Sequence, residues 1–372
     1  MSATETSISI PVELLPKDGR FGSGPSKVRQ EAINAFFDIA PTYLGTSHRQ
    51  NTVKNHVSRL RKGLSSLFQL PTDWEIILGN GGTTLFWDAA SFGLINSSSQ
   101  HLAFGEFSSK FATVVHNAPH LGEPEVIRSE PGTCPLATAS RVDTYALTHN
   151  ETSTGVRASL NRPANEGLVL VDATSAAGAI SWSPSEVDCY YFAPQKALAS
   201  DGGLWLAACS PAALERIEQL SSGDRWTPAG LDLGIALSNS RQDQTYNTPS
   251  LATIFLAAEM VEWINNSGGL SWAEERCLES SGIIYQWATD RSFAQPFVVD
   301  AEERSPVVCT VDFEGVDADT ISAVLRANGV VDTESYRKLG RNQLRLATFP
   351  SVEPADVEAL CACIDFIVDA LS

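Results

Sequence analysis

Positive charge is scarce in this chain. Against 44 aspartates and glutamates stand 26 lysines and arginines, a formal net charge of −18 over 372 residues. Such a field repels phosphate polymers, which argues against nucleic acid or an anionic membrane surface as partner. An anionic ligand would need arginines gathered locally. Long apolar runs are missing too, with none near the roughly 20 residues of a membrane helix. Segment 1–10 has neither a basic start nor an apolar stretch, so no secretory leader is expected and the cytoplasm is the expected compartment. The seven cysteines are an odd number scattered from Cys134 to Cys363, which is no disulfide framework. Cys361 and Cys363 lack zinc-knuckle spacing, no metal is expected, and core thiols in a reducing compartment fit better. What remains is an ordinary globular composition, long enough for a substantial core and two domains.

The informative stretch is 167–205. Two short apolar runs, Leu168-Val169-Leu170-Val171 and Val187-Asp188-Cys189-Tyr190-Tyr191-Phe192, read as buried strands of an α/β sheet. The first ends in Asp172, the second in Gln195-Lys196. In open α/β sheets ligands sit at the carboxyl ends of strands, so Asp172 and Lys196 would face one crevice. A lysine amine can form a Schiff base with an aldehyde cofactor, and pyridoxal 5′-phosphate needs an acidic partner for its ring nitrogen. Either residue alone suits a solvated lysine or a capping aspartate; together at two strand ends they point to that cofactor.

Other signals fall in line. Trp74 to Leu78 reads as a strand, and Gly79-Asn80-Gly81-Gly82-Thr83-Thr84 as a glycine turn opening a helix from Leu85 to Leu94. Free N–H groups at such a helix start suit a phosphate, although the spacing is not the dinucleotide fingerprint. Phe21-Gly22-Ser23-Gly24-Pro25-Ser26-Lys27 lacks the full phosphate-loop spacing and reads as a close-approach turn. Thr46-Ser47-His48-Arg49 lies between two helices, the second patterned Val53, Val57, Leu60, Leu64, Leu67. Phe107 follows a strand end, and His149-Asn150-Glu151-Thr152-Ser153-Thr154-Gly155 follows another. An amphipathic helix reaching Ile264 comes after the loop Gln244 to Pro249. Beyond about residue 270 the pattern changes to a compact α+β unit, with short strands around Val330 and Leu344 and a basic turn, Tyr336 to Arg345, between them. The expected division is an N-terminal arm 1–27, a large domain 28–270 and a small C-terminal domain 271–372.

Taken in order, these motifs resemble the phosphoserine aminotransferases, in their actinobacterial form, nearly end to end. The resemblance implies a type I pyridoxal-phosphate transferase fold like that of aspartate aminotransferase: α/β, with a large domain on a mostly parallel seven-stranded sheet and a smaller α+β domain. It implies Lys196 as the Schiff-base lysine and Asp172 as the pyridinium partner. Gly82 and Thr83 would hold the phosphate with Gln195 nearby, Phe107 would stack on the ring, and Thr152 would contact the ring hydroxyl. Asn247 and Thr248 match residues that reach the phosphate from a neighbouring subunit, implying a homodimer with shared sites. Arg49 and Arg345 match carboxylate-binding positions, and His48 and Arg337 the side-chain anion site. Many members carry His-Arg where this chain has Tyr336-Arg337, and the turn before Arg345 is longer.

The implied reaction moves an amino group from L-glutamate to 3-phosphohydroxypyruvate, giving 2-oxoglutarate and O-phospho-L-serine in serine biosynthesis. A second use, forming 4-phosphohydroxy-L-threonine in pyridoxine biosynthesis, is a secondary expectation. Three alternatives compete. A serine–glyoxylate type aminotransferase fits the core but gives no reason for the C-terminal arginines. A cysteine desulfurase would need a reactive loop cysteine, and Cys134 has no electropositive neighbour in sequence. A non-catalytic ligand-binding protein of the same fold is the third.

Overall fold

The computed structural model describes residues 8–371; of the segment read above as free of a leader, 1–7 lies outside the described residues. The helices are α1 (Gln30–Tyr43), α2 (Asn51–Leu67), α3 (Thr83–Gly93), α4 (Glu106–Asn117), α5 (Pro211–Ser221), α6 (Leu233–Ser240), α7 (Leu251–Ser267), α8 (Gly269–Thr289), α9 (Ala318–Ala327) and α10 (Pro354–Leu371). The strands of the main sheet are β1 (Glu75–Gly81), β2 (Ser99–Ala103), β3 (Glu125–Arg128), β4 (Thr144–Thr148), β7 (Leu168–Asp172), β8 (Cys189–Phe192) and β9 (Gly203–Cys209). They lie in the order β1-β9-β8-β7-β4-β2-β3, and all run one way except β9, which is antiparallel to both neighbours. A two-stranded ribbon joins β5 (Asn150–Glu151) to β6 (Val156–Arg157), and a smaller antiparallel sheet orders β10 (Ala294–Pro296), β11 (Val308–Phe313) and β12 (Gln343–Ala347).

Both faces of the main sheet are covered, which explains the continuous apolar runs. Alternate residues of β7 go to opposite layers: Val169 and Val171 pack in the cluster with α2 and α7, Leu168 and Leu170 in the cluster with α3 to α6. The stripe Val53, Val57, Leu60, Leu64 and Leu67 of α2 is buried as its spacing predicts. Each such side chain contributes roughly 1.5–3 kcal/mol when fully buried. Helix α7, read from sequence as amphipathic and ending near Ile264, is instead buried along most of its length, because it packs between α1, α2 and α8.

A separate apolar cluster gathers α9, α10, β11, β12 and the later turns of α8, and takes in Ile10 and Phe21 from the N-terminal segment. Helix α8 contributes Leu270, Ala273 and Cys277 to the main cluster and Ile284 and Trp287 to this one.

Two further sequence expectations need correction. Strand β1 continues to Gly81 instead of turning at Gly79, because Gly79 pairs with Trp205 and the indole occupies the space a Cβ would need, 2.2 Å away. Around Val330 there is no strand: Val331 makes a single bridge to Arg20, while the Val330 side chain enters the core.

Candidate active site

Strand ends β4, β7 and β8 and the start of α3 open on a cavity of about 400 Å³ lined by Gly82, Thr83, Phe107, Thr152, Asp172, Gln195 and Lys196, together with Gly24, Trp87 and Thr174. Parallel β4 and β7 put Thr148 beside Asp172, and β7 and β8 put Asp172 beside Tyr191, so the acid and the loop carrying Lys196 emerge at one sheet edge.

Asp172 is almost wholly buried, and burial pushes its carboxyl above the usual range while hydrogen bonds oppose this. Oδ1 accepts from the Thr174 hydroxyl at 2.6 Å and the Thr174 N–H at 3.0 Å; Oδ2 accepts from Trp87 Nε1 at 3.0 Å. Lys196 is half-buried within the same cavity. Burial first, then the Arg345 guanidinium, lowers its ammonium to about 8, against the pull of Asp172 and Glu151. Its Nζ donates to the Ser23 carbonyl at 2.6 Å and lies 5.9 Å from the centre of the Phe107 ring.

The anion end is the start of α3. Gly82 is its N-cap, no side chain caps it, and a Cβ at 82 would meet nothing within 4 Å. Its first N–H groups are therefore open to a bound phosphate. Phe107 occupies the first turn of α4, whose N-terminus is held by the buried Glu151: Ser108 N–H donates to Oε2 at 2.9 Å and the Ser153 hydroxyl to Oε1 at 2.7 Å. Sequence reading gave no role of their own to Trp87, Thr174 and Glu151: Trp87 and Thr174 line the cavity beside Asp172, and Glu151 lies behind Phe107. No local pattern marks them, although Glu151 and Thr174 each stand within two residues of a singled-out position.

The expected substrate residues are divided. Arg345, on β12, is half-buried; Nη1 donates to the Thr152 carbonyl at 3.3 Å, Nε has no hydrogen-bond partner among the described residues, and the guanidinium lies 5.3 Å from the Tyr336 ring. Arg337 sits in a single 3-10 turn, 337–339, and lines an adjoining hollow with Tyr336, Lys338 and Arg345. His48, Arg49, Asn247 and Thr248 stand outside the cavity of their own chain. They form another group, in which Thr248 Oγ1 meets His48 Nδ1 at 3.3 Å, Asn247 N–H donates to Asn80 Oδ1 at 3.3 Å, and Arg49 donates to Gln244 at 2.9 Å.

The donor set fits pyridoxal phosphate. An enclosed amine, an enclosed acid, an aromatic face and an uncapped helix start share one cavity, and the buried Gln195 Oε1 and Asn150 Oδ1 have no hydrogen-bond partner among the described residues.

This fold and this site define a pyridoxal-phosphate transferase of type I. Residues 132–333 match the class V aminotransferase family. The chain is 55% identical to a phosphoserine aminotransferase of a Nocardioides species, over 98% of this chain and 99% of the other. A phosphoserine aminotransferase from Cytophaga hutchinsonii superposes with a TM-score of 0.83 at 20% identity, over 94% of this chain and 99% of that one. A pyridoxal-phosphate-bound phosphoserine aminotransferase from Trichomonas vaginalis gives 0.79 at 18%, over 94% and 100%. The chain therefore belongs to the class V aminotransferases, in their phosphoserine aminotransferase group.

Proposed function

We propose that this chain transfers the amino group between L-glutamate and 3-phosphohydroxypyruvate, forming O-phospho-L-serine and 2-oxoglutarate. The observation that carries the reading is Lys196 and Asp172 enclosed in one cavity with the open start of α3, in a chain alike over its whole length to phosphoserine aminotransferases.

When bound, pyridoxal phosphate supplies an aldehyde to capture amines and a pyridinium ring to take up electrons from the substrate α-carbon. Lys196 would anchor that aldehyde, and its Nζ, when free, would take up and return the substrate α-proton. An amine held near pH 8 is suited to both giving and taking a proton. Asp172 would keep the ring nitrogen protonated, Gly82 and Thr83 would bind the phosphate with Gln195 beside them, Phe107 would cover one face of the ring, and Thr152 would meet its hydroxyl. Arg345 would grip the α-carboxylate with Arg49, while Arg337 and His48 would hold the distal anion. Guanidinium forks suit carboxylate and phosphate alike, so one set can serve both substrates in turn.

The reading includes a homodimer. In favour are the exposed Phe37 and Leu44 at α1, and the position of His48, Arg49, Asn247 and Thr248 outside their own chain's cavity. It also retains the arm 1–27, the large domain 28–270 and the small domain 271–372, supported by the separate apolar clusters. Among the described residues no helix is long and apolar enough to cross a membrane, and the cytoplasm is the proposed compartment.

The test is borohydride reduction of the holoprotein followed by peptide mapping, with a parallel assay of phosphohydroxypyruvate against glyoxylate. Label on Lys196 and preference for the phosphorylated acid are expected. Label elsewhere, or better turnover of glyoxylate, overturns the reading.

A further inference from the structure

Helix α3 meets the site twice. Its first residue, Thr83, stands at the end proposed for phosphate, and its hydroxyl lies 2.8 Å from that of Thr174. About one turn further on, Trp87 Nε1 donates to Asp172 Oδ2. The Thr174 hydroxyl has a single proton, and the carboxylate is its stronger acceptor, so that proton goes to Asp172 Oδ1 and the Thr174 oxygen accepts from Thr83. Asp172 is thus tied to α3 from both sides, directly through Trp87 and through Thr174 to Thr83.

A carboxylate offers about four lone-pair positions. The Thr174 hydroxyl and N–H take the two on Oδ1, and Trp87 takes one on Oδ2. One position on Oδ2 is left for a donor in the cavity. Trp87 is 2% exposed, and its ring lies nearly parallel to Phe111, at 15° and 6.3 Å between centroids. A phenylalanine could fill that space. The indole adds an N–H, and the acceptor it meets is the carboxylate proposed to pair with the cofactor.

Resting on the function proposed above, we infer that Trp87 is a positioning residue. By filling one lone pair of Asp172 Oδ2 it aims the remaining one at the cofactor's ring nitrogen. The same helix that holds the phosphate thereby fixes how far away, and in which direction, the nitrogen's partner stands. Trp87 also lines the cavity, and its positioning role is exercised through its bond to Asp172.

The test uses apoprotein reloaded with pyridoxal phosphate or with the analogue carrying C–H in place of the ring nitrogen, each followed by absorbance titration. Trp87→Phe weakens pyridoxal phosphate by about tenfold, because the charged hydrogen bond between Asp172 and the ring nitrogen is misaligned, and the analogue by less than about threefold. Trp87→His, which keeps a ring donor, recovers part of the difference. Equal weakening of both ligands means that Trp87 only fills space and overturns the inference. Should the variants not fold, the indole N–H resonance of Trp87 in the wild-type protein gives the answer. It shifts on adding pyridoxal phosphate and much less with the analogue; equal shifts overturn the inference. A wild-type protein that binds neither compound defeats the function itself, a result distinct from loss of selectivity.

Discussion

The backbone of Gly24 lies against the Lys196 amine: a Cβ built at 24 would stand 2.1 Å from Nζ and 2.4 Å from Cε, and φ there is +141°. Gly24→Ala would push the lysine off the Ser23 carbonyl in addition to straining the backbone. Cofactor affinity is expected to fall about tenfold or more, within the roughly 1–3 kcal/mol that a strained residue costs. Absorbance titration measures it, with circular dichroism checking the fold; unchanged affinity would mean the turn is slack.

The pH dependence of the apoprotein follows from Lys196. Its value falls on folding from 10.5 to about 8, so between these limits the folded chain binds fewer protons than the unfolded one. This group's penalty on stability is fully present below about 8 and relieved as pH rises toward 10.5. Capture of pyridoxal by the apoprotein should show a midpoint near 8, and Arg345→Gln should move it upward, since Arg345 is the second cause of the depression. A midpoint at the ordinary lysine value would contradict the burial described.

Sites shared between two subunits, as proposed, would allow complementation. Lys196→Ala chains and chains carrying Asn247→Ala with Thr248→Ala are each expected to be nearly inactive. In mixed dimers one of the two sites is intact, so random reassembly should restore about a quarter of wild-type activity by symmetry counting. An inactive mixture, shown to contain mixed dimers, would place Asn247 and Thr248 outside any shared site.

Thiol reagents should find little to attack. All seven cysteines are free, six are buried, and the half-buried Cys134 has its thiol pushed up to about 12 by burial and by the Glu303 carboxylate. Native protein at pH 8 should react with at most one equivalent, slowly, and keep its activity. Rapid loss of activity on modification of Cys134 would revive the cysteine desulfurase alternative.

Much of this was legible along the chain. The apolar runs around Val169 and Tyr190 and the stripe on α2 announced a sheet covered on both faces, because burial on two sides leaves no polar alternation to confuse the reading. Asp172 and Lys196 were legible since strand ends converge on one edge. Trp87 and Glu151 were not: each acts through a partner distant in sequence, Trp87 on Asp172 and Glu151 on the start of α4. The end of β1 was misjudged at Gly79 because a glycine marks a turn unless something across the sheet needs its space, and Trp205 does.

The N-terminal segment has one more role. Ile10 N–H donates to Asn328, Lys17 N–H to Asp356, and Phe21 is packed beside β12, yet Ser26 N–H donates to the Gln195 carbonyl and Ser23 receives the lysine. It works as a tendon strung between the C-terminal unit and the Lys196 amine. Trimming it, an edit that chain ends usually tolerate, would slacken the centre of the enzyme from its outermost thread.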